Sequence, residues 1–372
     1  MTKNKKRKKQ KKKLVIKNDI MIRTSLSIFF TSLFIVAFFL CGGAVYFYDV
    51  VVVSEFKGYD FQMHVIDVGQ GDSLLLKFPN NETMLIDAGE EDEGDAVTIY
   101  VKNFLKQEGL ERLNYLLLTH PDADHVGGAV KVLQEIEVDT VFRPKVYTHD
   151  ELLEMDDTNV MESTTLIYDS VIKLIEEKGC NVIFNEKGLQ YNFGGAEVEF
   201  LSPELNYYSS TNSTSAVIMV TYQTKKFLLT GDADAEIEET LIEEYGDYLN
   251  ADVLKVAHHG SNSSSTTEFL SIVSPEYSIL CTAKNKDLPS VEVINRLRAV
   301  NSGLISTSSE GNFALTIEND GISIAEEPQP IFDIALIISI YVLALIFTWG
   351  IRTNKETKKK DIIRDNQIKN DI

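Results

Sequence analysis

Six residues, His120-Pro121-Asp122-Ala123-Asp124-His125, carry four side chains able to bind divalent cations, at i, i+2, i+4 and i+5. Imidazole nitrogens and carboxylate oxygens in this mixture suit one or two such ions. A regular helix or strand would not aim all four at one point. A strand that ends in a tight turn and then starts a helix can. An apolar run, Leu116-Leu117-Leu118-Thr119, comes just before the cluster, and Gly127-Gly128 follows it, where backbone must crowd behind a turn. The plainer alternative is a solvated acidic loop capping a helix.

The elements around this stretch follow from periodicity. Residues 61–68, 73–78 and 83–87 read as strands, with turns at Gly69-Gln70-Gly71-Asp72 and Pro79-Asn80-Asn81. A helix over 96–108 leads to a strand over 113–119, which feeds the turn. A helix over 126–136 and a strand over 140–142 follow, and 147–179 reads as mostly helical. Short strands fall at 182–184, 191–193 and 198–201. A second, similar half starts near Ser215, with strands at 216–222 and 227–230 and a helix at 236–245. The next strand, 253–257, runs into His258-His259-Gly260-Ser261. Helices at 268–273 and 291–300 then alternate with strands at 277–281, 303–306, 313–317 and 322–325. Two mixed β/α halves predict two sheets back to back with helices outside.

Charge divides the 372-residue chain. Residues 1–23 form a basic tail with 11 Lys/Arg and one acid, and 352–372 form a second with 7 Lys/Arg and 4 acids. Of 36 bases and 56 acids in all, the middle keeps 18 and 51, a charge of about −33. Such a body repels polyanions unless metal ions or local basic patches intervene. That argues against tight nucleic-acid binding, though not against hydrolysis of a phosphate held by metals. Residues 24–48 are free of charge and long enough to span a bilayer. A cleaved signal peptide has a shorter apolar stretch, but Gly42-Gly43-Ala44 leaves that alternative open. Residues 334–351 make a second apolar run; a buried C-terminal helix is its other reading. With bases outside both runs, the positive-inside rule predicts a cell-membrane protein with cytoplasmic termini and an extracytoplasmic domain over 55–327. There is no Cys-x-x-Cys pair. Cys180 and Cys281 are either free thiols or a disulfide, which spacing does not decide.

Taken in order, several stretches resemble the metallo-β-lactamase superfamily, in particular the C-terminal domain of ComEC-type competence proteins. They are Asp67-Val68-Gly69-Gln70-Gly71-Asp72-Ser73, Leu85-Ile86-Asp87-Ala88-Gly89, the segment from Thr119 to Gly128, Asn212 with Ser215, Leu228-Leu229-Thr230-Gly231-Asp232 and Lys255-Val256-Ala257-His258-His259-Gly260-Ser261. The resemblance covers about residues 60–326 and omits the many-spanning channel portion of that family. It implies a four-layer αβ/βα sandwich with two divalent ions, Zn or Mn, at the lip between the sheets. It implies His120 and Asp122 on one metal, Asp124 and His125 on the other, and Asp232 bridging. His258, in preference to His259, completes the set. Asp67, Asp72 and Asp87, with His259, would orient ligands, and Asn212 and Ser215 would face substrate. Leu288 stands where the family often has a His before Pro, and Ser308 where it often has an Asp.

The chemistry follows from the ligands. A metal lowers the pKa of bound water toward about 7, and two metals stabilise an anionic leaving group. The resulting expectation is a membrane-anchored, metal-dependent hydrolase, a phosphodiesterase or nuclease, with Asp124 and Asp232 in catalysis. The oxygen-rich set makes Mn²⁺ a rival to Zn²⁺. The alternative is a catalytically degenerate binding or sensing module on the same fold. β-Lactam hydrolysis is a third reading, disfavoured by Asp122 and by the motif order.

Overall fold

Strands buried on both faces must be covered twice, and the first sheet is built from such strands. In the computed structural model, which describes residues 58–326 except 154–159, 163–164, 205–207, 209 and 285, together with residue 33, β1 (Gln62–Val65), β2 (Leu74–Lys77) and β3 (Thr83–Ile86) are buried at every position. Helix α1 (Gly94–Glu108) leads to β4 (Leu113–Leu117). The turn follows, with short helices α2 (Ala123–Val126) and α3 (Ala129–Glu135), then β5 (Val138–Arg143). The short pair β6 (Val146–Tyr147) and β7 (Met161–Glu162) flanks α4 (His149–Leu153); α5 (Leu166–Lys178) and β8 (Asn181–Phe184) come next.

The second sheet takes β9 (Gln190–Phe193), β10 (Ala196–Ser202), β11 (Val217–Tyr222), β12 (Lys225–Leu229), β13 (Val253–Lys255), β14 (Tyr277–Leu280) and β15 (Gly303–Ser306), with α6 (Ala235–Tyr245), α7 (Thr267–Val273), α8 (Val291–Ala299) and the one-turn α9 (Thr307–Glu310) between or after them. The chain then returns to the first sheet as β16 (Phe313–Glu318) and β17 (Gly321–Glu326). The sheets run β17-β16-β1-β2-β3-β4-β5-β8 and β15-β14-β13-β12-β11-β10-β9.

Alternation along the strands makes the layers. Met63, Val65, Leu74, Leu76, Met84 and Ile86 from the first sheet share one core with Val198, Phe200, Ile218, Val220, Phe227 and Leu229 from the second. The opposite face of β1 carries His64, whose ring meets Phe104 of α1 edge-on at 4.9 Å. On the far side, Val217, Met219, Leu228 and Leu254 pack with Ile237, Leu241, Phe269, Leu270, Val293 and Leu297 of α6, α7 and α8. The order is therefore helices, sheet, sheet, helices, the predicted four-layer sandwich.

Three expectations change. The helix over 126–136 is two pieces, because Gly127 and Gly128 lie against Glu90-Glu91 and Ala88, so close that a Cβ at Gly128 would sit inside the Ala88 carbonyl. The halves do not divide at Ser215: the second sheet begins at β9, and the last two strands cross back to pair with β1. The 147–179 stretch is only partly helical, since β6 and β7 pair across α4. Cys180 and Cys281 are free thiols. The predicted spans at 24–48 and 334–351 lie outside the described residues, apart from residue 33. Among the described residues no helix is long and apolar enough to cross a membrane.

Candidate metal centre

The parallel strands β3-β4-β5-β8 and β12-β13-β14-β15 give each sheet a common carboxyl end. Ligands gather at such ends because each strand stops there and hands its next residues to a loop. Asp87 follows β3, Thr119 and His120 follow β4, Asp232 follows β12, His258 and His259 follow β13, and Cys281 follows β14.

Asp87 organises the first of these loops. It is fully buried, and its Oδ1 accepts from the Thr119 amide at 2.9 Å. Its Oδ2 accepts from Thr119 Oγ1 at 2.6 Å and from His125 Nδ1 at 2.7 Å. Thr119 Oγ1, its proton given to Asp87, accepts from His120 Nδ1 at 3.0 Å. That fixes the His120 tautomer and leaves the Nε2 lone pair aimed into the site, buried and without a hydrogen-bond partner. Burial, then the neighbouring His125, holds the His120 pKa well below the ordinary imidazole value, so the ring is neutral, as a ligand must be.

Four rings and carboxylates close the centre. His125 Nε2 lies 3.2 Å from Asp232 Oδ1 and 3.3 Å from His259 Nε2. His259 Nε2 is 3.4 Å from both Asp124 Oδ2 and Asp232 Oδ2. His259 Nδ1 donates to the Cys281 carbonyl at 3.0 Å, orienting that ring. Asp232 is fixed by its own amide, which donates to Ser215 Oγ at 3.1 Å. Burial opposes charge on His125, but Asp232 and Asp87 outweigh it and raise its pKa well above normal. His259 rises to about 9 against the same penalty, through Asp232 and Asp124. Burial works to raise Asp124, yet the His259 hydrogen bond and the His125 charge bring it down to about 2. Metal ions would compete with protons for these ring nitrogens.

The residues fit divalent cations. The ligand atoms of His120, His125 and Asp232 lie within 4.8 Å of one another, as do those of Asp124, His125 and His259, and those of Asp72, Asp87 and His125. His120 Nε2, buried and without a hydrogen-bond partner, is an atom that such an ion would satisfy.

Other expected residues fall around this centre. Asp122 is one-third exposed, with Oδ2 3.7 Å from His120 Nε2. Structure and sequence expectation part at the His pair. His259 is the buried ring within the groups; His258 is half-buried, its Nε2 4.0 Å from Asp232 Oδ2 and its Nδ1 beside Asn212 and Ser263. Both residues have left-handed backbones, φ 49° and 51°, which turn the rings apart. Asn212 sits by His258, toward the mouth. Ser215 is fully buried beneath Asp232 and so supports a ligand instead of facing substrate. Asp72 lies inside, 3.9 Å from His125 Nδ1. Asp67 stands apart and shapes its turn, Oδ1 accepting from the Gly69 amide at 3.1 Å.

Lys255 was not anticipated. It is wholly buried, with its ammonium on Asp72 and the Gly231 carbonyl. Its signal was available: a lysine in an otherwise apolar interior strand, where that residue type is rarely found.

The chain is similar to known proteins in sequence. The chain is 28% identical over 276 residues to ComE operon protein 3 of Bacillus subtilis, covering 69% of this chain and 33% of that protein. It is 27% identical over 282 residues to Recombination protein 2 of Haemophilus influenzae, covering 75% and 32%. It is 29% identical over 260 residues to Competence protein ComA of Neisseria gonorrhoeae, covering 69% and 32%. The chain thus spans about a third of the length of these curated relatives. The model of the metallo-beta-lactamase superfamily matches residues 66–284, more than half of the chain, and on that match the chain belongs to the metallo-beta-lactamase superfamily.

Proposed function

We propose that this protein is a metal-dependent hydrolase of phosphodiesters, anchored in the cell membrane by spans at 24–48 and 334–351 with its catalytic domain outside. The carrying observation is the convergence of His120, Asp124, His125, Asp232 and His259, with the His120 Nε2 lone pair left unpartnered. His120, His125 and Asp232 would hold one divalent ion, and Asp124 with His259 a second. Two such ions, Zn or Mn, would supply Lewis acidity and a water of lowered pKa. The chain's own part is positioning. Asp124 stands one-third exposed at the opening, where it orients an incoming nucleophile, its Oδ2 3.4 Å from His259 Nε2 so that both atoms can meet one ion. Asp232 is pinned by Ser215, and Asp87 keeps the Nε2 of His125 turned inward. The competence names of the relatives support a nucleic acid or related polymer as the phosphodiester, held weakly by so acidic a body.

The test is elemental analysis of the full chain, paired with hydrolysis of bis-p-nitrophenyl phosphate in Mn²⁺ or Zn²⁺. Metal should be present, and Asp124→Ala should lower turnover at least ~100-fold. Absence of bound metal ends this reading.

One observation favours a second reading, a degenerate binding module. Leu288 replaces the expected His, in a segment that lies against the site through the Ser290 amide on the Gly260 carbonyl at 2.9 Å. Equal rates for native protein and Asp124→Ala, with metal bound, would establish it.

A further inference from the structure

Three groups of candidate ligands share His125, and among them only the one with Asp124 has a partly exposed member. The inner group is Asp72, Asp87 and His125, where His125 Nδ1 donates to Asp87 Oδ2 at 2.7 Å and so leaves Asp72 as the acid in need of a cation, and a cation already stands beside it. The Lys255 ammonium is ion-paired with Asp72 Oδ2, donates to the Gly231 carbonyl at 2.9 Å and lies 3.6 Å from Asp232 Oδ1. Both partners are sealed from solvent, with side chains 1% and 2% exposed. Asp72 Oδ1, on the other side of the carboxylate, is buried 3.6 Å from His259 Nδ1, a ring nitrogen already committed to the Cys281 carbonyl. A buried charge needs an opposite charge to repay its lost hydration. Asp72 therefore requires a cation, and β13 delivers one on a covalent stem.

We infer that Lys255 is a tethered cation that fills the inner of the three positions and so limits divalent ions to the outer two. The stem comes up from the core between the sheets, on the same face of β13 as Val253. Nothing exchangeable is needed there. The inference rests on the metal reading above and is independent of turnover.

The experiment counts Mn²⁺ in the full chain, purified in detergent and dialysed against the ion. Lys255→Ala empties the inner position and should carry one Mn²⁺ more per chain than native protein. Lys255→Met removes the charge but keeps the volume filled, and should gain none. Adding Asp72→Asn to Lys255→Ala should abolish the gain. A folded Lys255→Ala with native metal content overturns the inference and leaves the hydrolase reading intact. Native protein without metal overturns the hydrolase reading instead. If Lys255→Ala unfolds in chelator, Mn²⁺ at refolding must restore the native circular dichroism; failure to do so also overturns the inference.

Discussion

One carboxylate, Asp87, fixes three donors of the site, two of them on Thr119 and one on His125. Its own backbone is left-handed, φ 56°, a conformation that costs free energy in a non-glycine residue and recurs where function demands it. An amide in its place keeps the shape but cannot accept on both oxygens. Asp87→Asn is therefore expected to leave the fold intact and weaken divalent binding about 10- to 100-fold, the usual cost of losing a ligand's support. Competitive titration with a chromophoric chelator measures this. Unchanged affinity would show that His125 needs no such support. The His258-His259 pair makes the same point about backbone: two successive left-handed residues separate neighbours in sequence into one ligand-like ring and one ring at the mouth.

At the scale of elements, the site depends on strands that stop together and on helices that hold them. Gly71, at φ 153°, passes so close to the Asp124 carbonyl that a Cβ there would collide with it. That contact locks the Gly69–Asp72 turn onto the metal-binding turn. Behind β1 the packing is of a different kind. His64 is buried, its Nδ1 2.8 Å from the Tyr100 hydroxyl and its Nε2 3.0 Å from Gln62 Oε1. Burial, assisted by Lys77, lowers its pKa to about 3. The unfolded chain protonates this imidazole near the ordinary value of 6.5, while the folded protein does not until about 3. Between those pH values the unfolded state binds more protons, so stability falls as pH is lowered through the window. His64→Gln should flatten that part of the melting temperature against pH profile relative to native protein. Parallel profiles for the two would refute the assignment.

For the whole molecule, charge bears on the membrane position proposed above. The two ends of the chain are rich in Lys and Arg next to the apolar runs, which supports the proposal that both stay on the cytoplasmic side. A protease site appended to either terminus should then be protected in wall-stripped cells. The same site placed in the exposed Gly194-Gly195 turn should be cut. Cleavage at the termini with protection of the turn would reverse the topology.

Local chemistry wrote the turn into the sequence, because His120, Asp122, Asp124 and His125 are neighbours along the chain, while each group at the centre is completed from other elements by Asp232, by His259 or by Asp72 with Asp87. The alternation that buries Met63 and Val65 on one face and His64 on the other was equally local, and with it the layering of helices on sheets. Which member of His258-His259 enters the centre was not legible, since that choice lies in two backbone dihedrals held by Cys281 and the segment at Gly260. Nor was the return of β16 and β17 to the first sheet, which depends on pairing with β1 some 250 residues away. Lys255 shows the division most plainly: its position in an apolar strand was visible, but its role depends on Asp72 reaching it from the other sheet. Only folding sets an ammonium and a carboxylate from opposite layers in a space where neither can hold its water.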